Sequence, residues 1–356
     1  MATELKIEPI ADERKWQRDL NLSNIGTSLE DCRPYRYNKD KAYKEGFEEF
    51  LTFSKEVEIN GRKWFAHPNI NMYIDTTGAC NGDCDFCIAK TTFKRTEAPT
   101  DKFLKGLERA IELTRHIHPS IQIVGGEPTL SSKVYPILDM VDGNRMRNPV
   151  IGTNGTGFND RLVDRINTSS IQHINLSRHH YNEDLNHEIM HLKPFSPNET
   201  FWGNLKNIDP RIDIRLQCNL IGGYIDSYES VIDFVEWSRD HGIHNLVFAQ
   251  LTPLPRDDMY RSEIIDYVLS RQVDVNAIIE SAEVNPEFSF EKYRGGVACY
   301  YEVWKYKGDT TVLFKFSDNK YLSMADRTER HLPDLVVHTD GTLCGSWNRN
   351  LKILSE

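Results

Sequence analysis

The sequence lacks an excess of positive charge, a long apolar run and a disulfide pattern, and each lack narrows its role. Forty-three Lys and Arg stand against fifty-three Asp and Glu, for a net charge of −10. An acidic chain is a poor match for a phosphate backbone, so nucleic acid is not expected as its main partner. No apolar run approaches the roughly 20 residues of a spanning helix, so no membrane segment is expected. The N-terminal stretch MATELKIEPIADERKWQRDL is polar and acidic, unlike a signal or transit peptide. The seven cysteines are an odd count, and three of them crowd together. That pattern suits a metal site in a reducing cytoplasm better than a disulfide framework. Low-complexity segments and internal repeats are also missing.

What is present is a soluble globular balance: 39% apolar and 27% charged residues over 356 positions,. Lys41–Ser54 reads as a helix, and EVEINGRKWFAH as a hairpin turning at Asn60-Gly61,. From residue 71 the pattern alternates. NMYIDTT, SIQIVGG, PVIGTNGTG, IQHINLSRHH, RIDIRLQCNLIGG and NLVFAQLTPLP read as strands. Amphipathic helices separate them, the first with Thr100 as its expected N-cap and a later one stopped by Gly242,. Six βα units predict an α/β fold with a parallel sheet, whose functional loops lie at the C-terminal strand ends. Beyond residue 290 the chain reads as a small β-rich appendage, with a hairpin at Asp340-Gly341,. The expected divisions are an N-terminal extension at 1–69, a core at 70–289 and the appendage at 290–356.

The chemistry concentrates in ACNGDCDFCIAK, where Cys80, Cys84 and Cys87 have C-x3-C-x2-C spacing. Thiolates are soft ligands that suit iron–sulfur clusters and zinc. A closed site wants four ligands, so three in one loop leave a corner open to a substrate or cofactor. Spacing alone also allows a structural zinc site completed by a distant residue, or three unrelated thiols. One helix later the second strand ends in GGEPT, Gly125 to Thr129. Its glycines allow close backbone approach, Glu127 offers a carboxylate to an ammonium group, and Pro128 stiffens the turn.

With both motifs in this order, residues 70–255 or so resemble the radical S-adenosylmethionine (SAM) superfamily. Within it the chain looks most like the molybdenum-cofactor cyclase and SPASM/twitch branch, whose members carry a C-terminal β appendage. The resemblance implies a partial (β/α)6 barrel and a [4Fe–4S] cluster held by Cys80, Cys84 and Cys87, with its fourth iron chelating SAM. Reductive cleavage of SAM would then yield a 5′-deoxyadenosyl radical that removes a hydrogen atom from the substrate. It further implies SAM contacts at Phe86, Gly125, Gly126, Glu127 and Pro128, and at Thr153 and Asn154. Ser177 and Arg178 would meet the ribose and the carboxylate. Asn219 to Ile221 and Leu251 to Leu254, with Leu220 and Leu254 among them, would flank the adenine. A flavodoxin- or ferredoxin-type electron donor is implied as well. The substrate is expected to be a small metabolite or natural-product intermediate, with a ribosomally made peptide as the alternative.

HEIMH, His187 to His191, competes as a zinc motif, because H-E-x-x-H on a helix puts two imidazoles on one face,. Pro194 limits that helix, and no partner motif supplies a third ligand. His179 and His180 sit nearer the expected mouth and are the better candidates for substrate contact. Only Cys299 and Cys344 fall in the appendage, without a C-x2-C pair, so an auxiliary cluster is not expected there,. Without a built-in electron acceptor, rearrangement, epimerisation, elimination or cyclisation is favoured. Cys218, Cys299 and Cys344 are then candidate hydrogen-atom donors to a substrate radical, against the ordinary role of a buried thiol.

Overall fold

The computed structural model describes residues 22–90, 96–193, 198–256 and 260–355. The polar stretch 1–21 and Pro194 lie outside them. The chain runs β1 (Leu22–Gly26), α1 (Leu29–Tyr37), α2 (Lys39–Phe53), β2 (Lys55–Ile59), β3 (Arg62–Ala66), β4 (Asn71–Asp75) and α3 (Thr100–Thr114). It continues with β5 (Ser120–Val124), α4 (Val134–Gly143), β6 (Arg147–Thr153), α5 (Asp160–Asn167), β7 (His173–Ser177), α6 (Glu183–Met190) and α7 (Asn198–Lys206). Then come β8 (Asp213–Leu220), α8 (Tyr228–Asp240), β9 (Asn245–Gln250), α9 (Ser262–Ser270) and α10 (Val275–Val284). The last elements are β10 (Phe288–Gly296), β11 (Cys299–Tyr306), β12 (Thr310–Ser317), α11 (Asn319–Arg327), β13 (His331–Leu332), β14 (Leu335–Val337), β15 (Leu343–Cys344) and β16 (Ile353–Ser355).

Strands β4 to β9 lie side by side in chain order, and each pair is parallel. Helices connect them, as parallel neighbours require. The result is the expected partial barrel, left open among the described residues because β1 and β16 end the sheet on opposite sides. The β2–β3 hairpin turns at Asn60-Gly61, both at positive φ, as a two-residue turn of this type demands,.

Two local expectations change, and the C-terminal strands have a definite place in the sheet. Thr100 is the first helical residue of α3, and Pro99 occupies the N-cap without a side-chain bond. α6 ends at Met190, with His191 in the left-handed region (φ 48°). The two HEIMH histidines therefore do not share a helical face. Finally, the β-rich C-terminal strands join the main sheet on both sides. β12 pairs in parallel with β9, followed outward by β11, β10 and β1. β14 pairs in parallel with β4, followed by β15 and β16.

The two faces of the sheet differ. Phe248 of β9 meets Phe234 of α8 edge-on at 5.6 Å, so this face points to the helices. Ile74, Ile123, Ile151, Ile174, Leu216 and Leu246 belong to the same main core. Each such buried side chain contributes about 1.5–3 kcal/mol. α1 and α2 close the outer face of β10 and β11. There Arg36 grips Glu302 through Nε and Nη2, both at 2.8 Å, and neither side chain is exposed. The inner face carries its own small apolar cluster of Val247, Tyr301, Val303 and Leu313, with Cys299 beside it.

Candidate active site

The cysteine loop leaves the tip of β4 and runs against the tip of β5. Thr76 N donates to Val124 O (2.9 Å), Gly126 N to Thr77 O (2.6 Å) and Glu127 N to Ala79 O (2.9 Å). The glycines make this possible. A β-carbon on Gly126 would stand 2.0 Å from Ala79 O, and Gly125 has φ +146° with Thr77 O 2.8 Å from its would-be β-carbon,. The GGEP turn thus supports the residues that lead directly into Cys80.

The loop then folds tightly on itself. Gly82 N donates to Cys80 Sγ (3.3 Å). Cys87 N donates to Cys84 O (3.2 Å) and Lys90 N to Cys87 O (3.0 Å). All three thiols are free; Cys80 is exposed, while Cys84 and Cys87 are half-buried. Burial, followed by the neighbouring Cys87 and Cys80, pushes the Cys84 thiol up to about 12. Burial also raises Cys80. Cys80 and Cys84, both held toward the thiol, are donors that a cationic group would relieve by deprotonating them,. Among the described residues, no three His, Cys, Asp or Glu side chains converge on one ion. Three soft thiolate donors in one loop are a donor set that suits an iron–sulfur cluster.

Glu127 is 1% exposed. Oε1 accepts from Thr129 N (3.0 Å), Thr129 Oγ1 and Thr153 Oγ1, and Oε2 accepts from Asn154 N (2.6 Å). Four protein donors engage it, three on Oε1 and one on Oε2. It ties the β5 tip to the β6 tip, and Pro128 starts the short turn beside it. Thr153 is consumed in this network and buried. Asn154 is more open: its Nδ2 donates to Asn81 Oδ1 (2.9 Å) and lies 4.0 Å from Cys80 Sγ.

Arg178 also turns away from the mouth. Its guanidinium lies over the adjoining indoles of Trp202 (5.2 Å) and Trp237 (4.6 Å), which meet edge-on at 5.3 Å, and pairs with Glu183, in the helix layer. Burial presses its pKa down, and Glu183 opposes that. The expected meeting with a carboxylate at the strand tips is therefore not what this side chain is placed for. Ser177, one residue earlier, ends β7 half-buried, on the inner face with its β8 partner Gln217.

His179 sits under the cysteine loop. Its Nδ1 accepts from Asn219 N (3.0 Å), and its ring meets Phe86 edge-on at 4.8 Å. Burial, helped by Arg178, pushes it down to about 3, so it is neutral. His180 accepts from Asn182 N through Nδ1 (2.9 Å) and packs on Tyr181. Phe86 joins an apolar cluster with Ile221, Leu251 and Leu254. Leu220 belongs to the main core on the other side of β8.

The three candidate donor cysteines separate by face. Cys218 pairs with Phe248, faces the helices and is fully buried. Cys344 is buried in β15, with Sγ 3.7 Å from Arg349 O. Cys299 lies half-buried on the inner face, 3.9 Å from Ser317 Oγ. Sequence reasoning missed the part played by Asn81 and Thr156, whose side-chain oxygens stand 3.2 Å apart across the loop. The adjacency of Asn81 to Cys80 was the available signal.

Residues 74–268 match the family model described as the radical SAM superfamily, and the chain belongs to that superfamily. Enzymes of this superfamily use a [4Fe–4S] cluster and SAM. Among solved structures it is similar to Streptococcus suis SuiB bound to the precursor peptide SuiA, at 20% identity and TM-score 0.43, covering 64% of this chain and 46% of that one. It is similar to anSMEcpe with bound AdoMet and Kp18Cys peptide, at 12% identity and TM-score 0.48, covering 80% and 76%. It is also similar to the Escherichia coli coproporphyrinogen III oxidase HemN, at 12% identity and TM-score 0.40, covering 70% and 73%. The chain spans less than half the length of SuiB. No curated protein sequence matches it. No helix among the described residues is long and apolar enough to cross a membrane.

Proposed function

We propose that Cys80, Cys84 and Cys87 hold the [4Fe–4S] cluster, and that the enzyme removes a hydrogen atom from a small metabolite or natural-product intermediate. The observation that carries this reading is the backbone contact between Gly126 and Ala79, which sets the GGEP turn against the thiolate loop. Bound there, the cluster would supply the electron that breaks a C–S bond of SAM and releases a 5′-deoxyadenosyl radical. This chain's residues supply position. Gly125 and Gly126 present backbone at the β5 tip, Asn154 presents an amide beside Cys80, and Ser177 a hydroxyl at the β7 tip. Phe86, Leu254 and their apolar neighbours exclude water on one flank, with Asn219 at the end of β8.

The outcome is a rearrangement, epimerisation, elimination or cyclisation. Of the three candidate thiols, Cys299 is the one we assign as hydrogen-atom donor, because it is half-buried on the inner face. The β-rich C-terminal strands support a place in the cyclase and SPASM/twitch branch. The division at 1–69, 70–289 and 290–356, a flavodoxin- or ferredoxin-type donor and a cytoplasmic location belong to the same reading, and the odd count of seven cysteines with three clustered supports the last,.

The test is anaerobic reconstitution. The wild-type protein is expected to be brown, with about four iron and four sulfide per chain, and to release 5′-deoxyadenosine and methionine from SAM with a reductant. Cys80→Ala, Cys84→Ala and Cys87→Ala should each abolish both properties. A colourless protein with stoichiometric zinc would refute the reading. Incubation with metabolite and peptide pools, followed by 5′-deoxyadenosine release, separates a small substrate from a peptide. Cys299→Ala should lose product while still cleaving SAM; normal turnover would remove it as donor.

A further inference from the structure

The segment that reads as a zinc motif ends in contacts with the cysteine loop. Met190 O, at the last residue of α6, accepts from Asp83 N (3.0 Å) and lies 3.6 Å from Cys84 Sγ. A helix C-terminus leaves carbonyls unpaired, so this end is a natural acceptor for loop N–H groups. His191 turns left-handed, and its Nε2 stands 3.3 Å from Asp85 Oδ2. Two residues further, Lys193 N donates to Asn81 O (2.7 Å). The fit is close: a β-carbon on Gly82 would come 3.0 Å from Met190 O.

The β6 tip holds the same loop from another direction. Asn154 Nδ2 donates to Asn81 Oδ1 (2.9 Å), and Thr156 Oγ1 stands 3.2 Å from the same oxygen. Asn154 and Thr156 are fixed to each other, since Thr156 Oγ1 donates to Asn154 Oδ1 (2.6 Å). Asn154 is in turn anchored by its backbone N–H on the buried Glu127 carboxylate (2.6 Å). Asn81 is therefore where two separate elements meet: its main-chain oxygen takes the segment after α6, and its side-chain oxygen takes the β6 tip. It is also the residue next to Cys80.

We propose that Asn81 is a positioning residue, through which the end of α6 and the tip of β6 brace the cysteine loop in its ligating shape. The inference rests on Cys80, Cys84 and Cys87 being the cluster ligands. A loop rich in Gly, Asn and Asp has large conformational freedom, and the brace removes that freedom before any ligand binds. Partners behind metal ligands ordinarily matter by 10- to 100-fold in metal affinity or activity. The histidine of HEIMH nearest the loop, His191, then serves the brace by way of Asp85, with no zinc involved.

The test uses the anaerobically reconstituted full chain and follows cluster loss to a chelator through its visible absorbance. Asn81→Ala should shorten the cluster lifetime by on the order of tenfold, with the melting temperature of the cluster-free protein unchanged. Asn81→Asp keeps the acceptor oxygen and should restore the lifetime to within about threefold of wild type. Thr156→Val removes the hydroxyl that fixes the Asn154 amide against Asn81, with little change of shape, and should give an intermediate lifetime. If Asn81→Ala or, should that variant not fold, Thr156→Val keeps the wild-type lifetime, the brace is overturned while the cluster assignment stands. If the wild-type protein takes up no cluster, both fall.

Discussion

Gly126 and Ala79 touch backbone to backbone, so closely that a β-carbon on Gly126 would stand 2.0 Å from the Ala79 carbonyl oxygen. Cys80 follows Ala79 directly. Gly126→Ala must therefore displace the start of the cysteine loop, since neither side of the contact is a flexible side chain. The variant should fold but retain far less iron than wild type, measured as iron per chain after reconstitution. Gly203→Ala in α7 is the control: its would-be β-carbon meets nothing within 4 Å. It should stabilise the protein by about 0.5–1 kcal/mol.

Arg178 lies over the adjoining rings of Trp202 and Trp237 and pairs with Glu183. Arg178→Ala removes a buried guanidinium from beside Glu183 and from the faces of two indoles, at a cost of about 3–5 kcal/mol. Arg178→Lys should be milder, yet still destabilising, because an ammonium does not stack as a planar guanidinium does. Denaturant midpoints would show both losses. SAM affinity of the folded variants, read by titration, should stay near wild type.

Glu302 and Arg36 are fully buried and bond through both carboxylate oxygens. Tyr300 OH and Trp304 Nε1 also donate to Glu302. Glu302→Ala leaves a buried guanidinium short of its main counter-charge and should cost about 3–5 kcal/mol. The loss would appear in thermal or denaturant unfolding and should be relieved in part by pairing the change with Arg36→Leu.

His179 and His67 are both held neutral by burial, with pKa values pushed from 6.5 down to about 3 and about 4. A depressed folded pKa means the unfolded chain binds the proton first. Their contribution is therefore full above pH 6.5 and is lost as pH falls toward the folded values. Stability should drop between pH 6.5 and 4 by up to about 1.4 kcal/mol per pH unit for each histidine. His67→Gln should flatten that slope by one histidine's share in denaturant melts across the range. An unchanged slope would count against the burial argument.

Several parts of the fold were legible because they depend on neighbours in sequence. The Asn60-Gly61 turn, the six βα units and the GGEP glycines follow from conformational limits and periodicity. Side-chain direction at strand tips was not legible. Glu127 turns inward because four donors surround it, and Arg178 turns outward because two tryptophans and a glutamate lie there. Buried parallel strands read as apolar on both faces, so their pattern does not say which face meets the helices. This is why the direction of Cys218 on parallel β8 is not legible, whereas the side taken by Cys299 on antiparallel β11 depends on how β12 joins β9.

By itself, then, the sequence determined the chemistry: three thiols at C-x3-C-x2-C spacing and a GGEP turn one helix later identify the cofactor class. The tertiary structure decided what stands around that loop. It brought β12 and β14 to opposite sides of the parallel strands, and it brought the end of α6 and the tip of β6 onto Asn81. Those contacts join residues roughly 70 to 110 positions apart. No local pattern encodes them, because they form only when the sheet curls and sets its loops side by side.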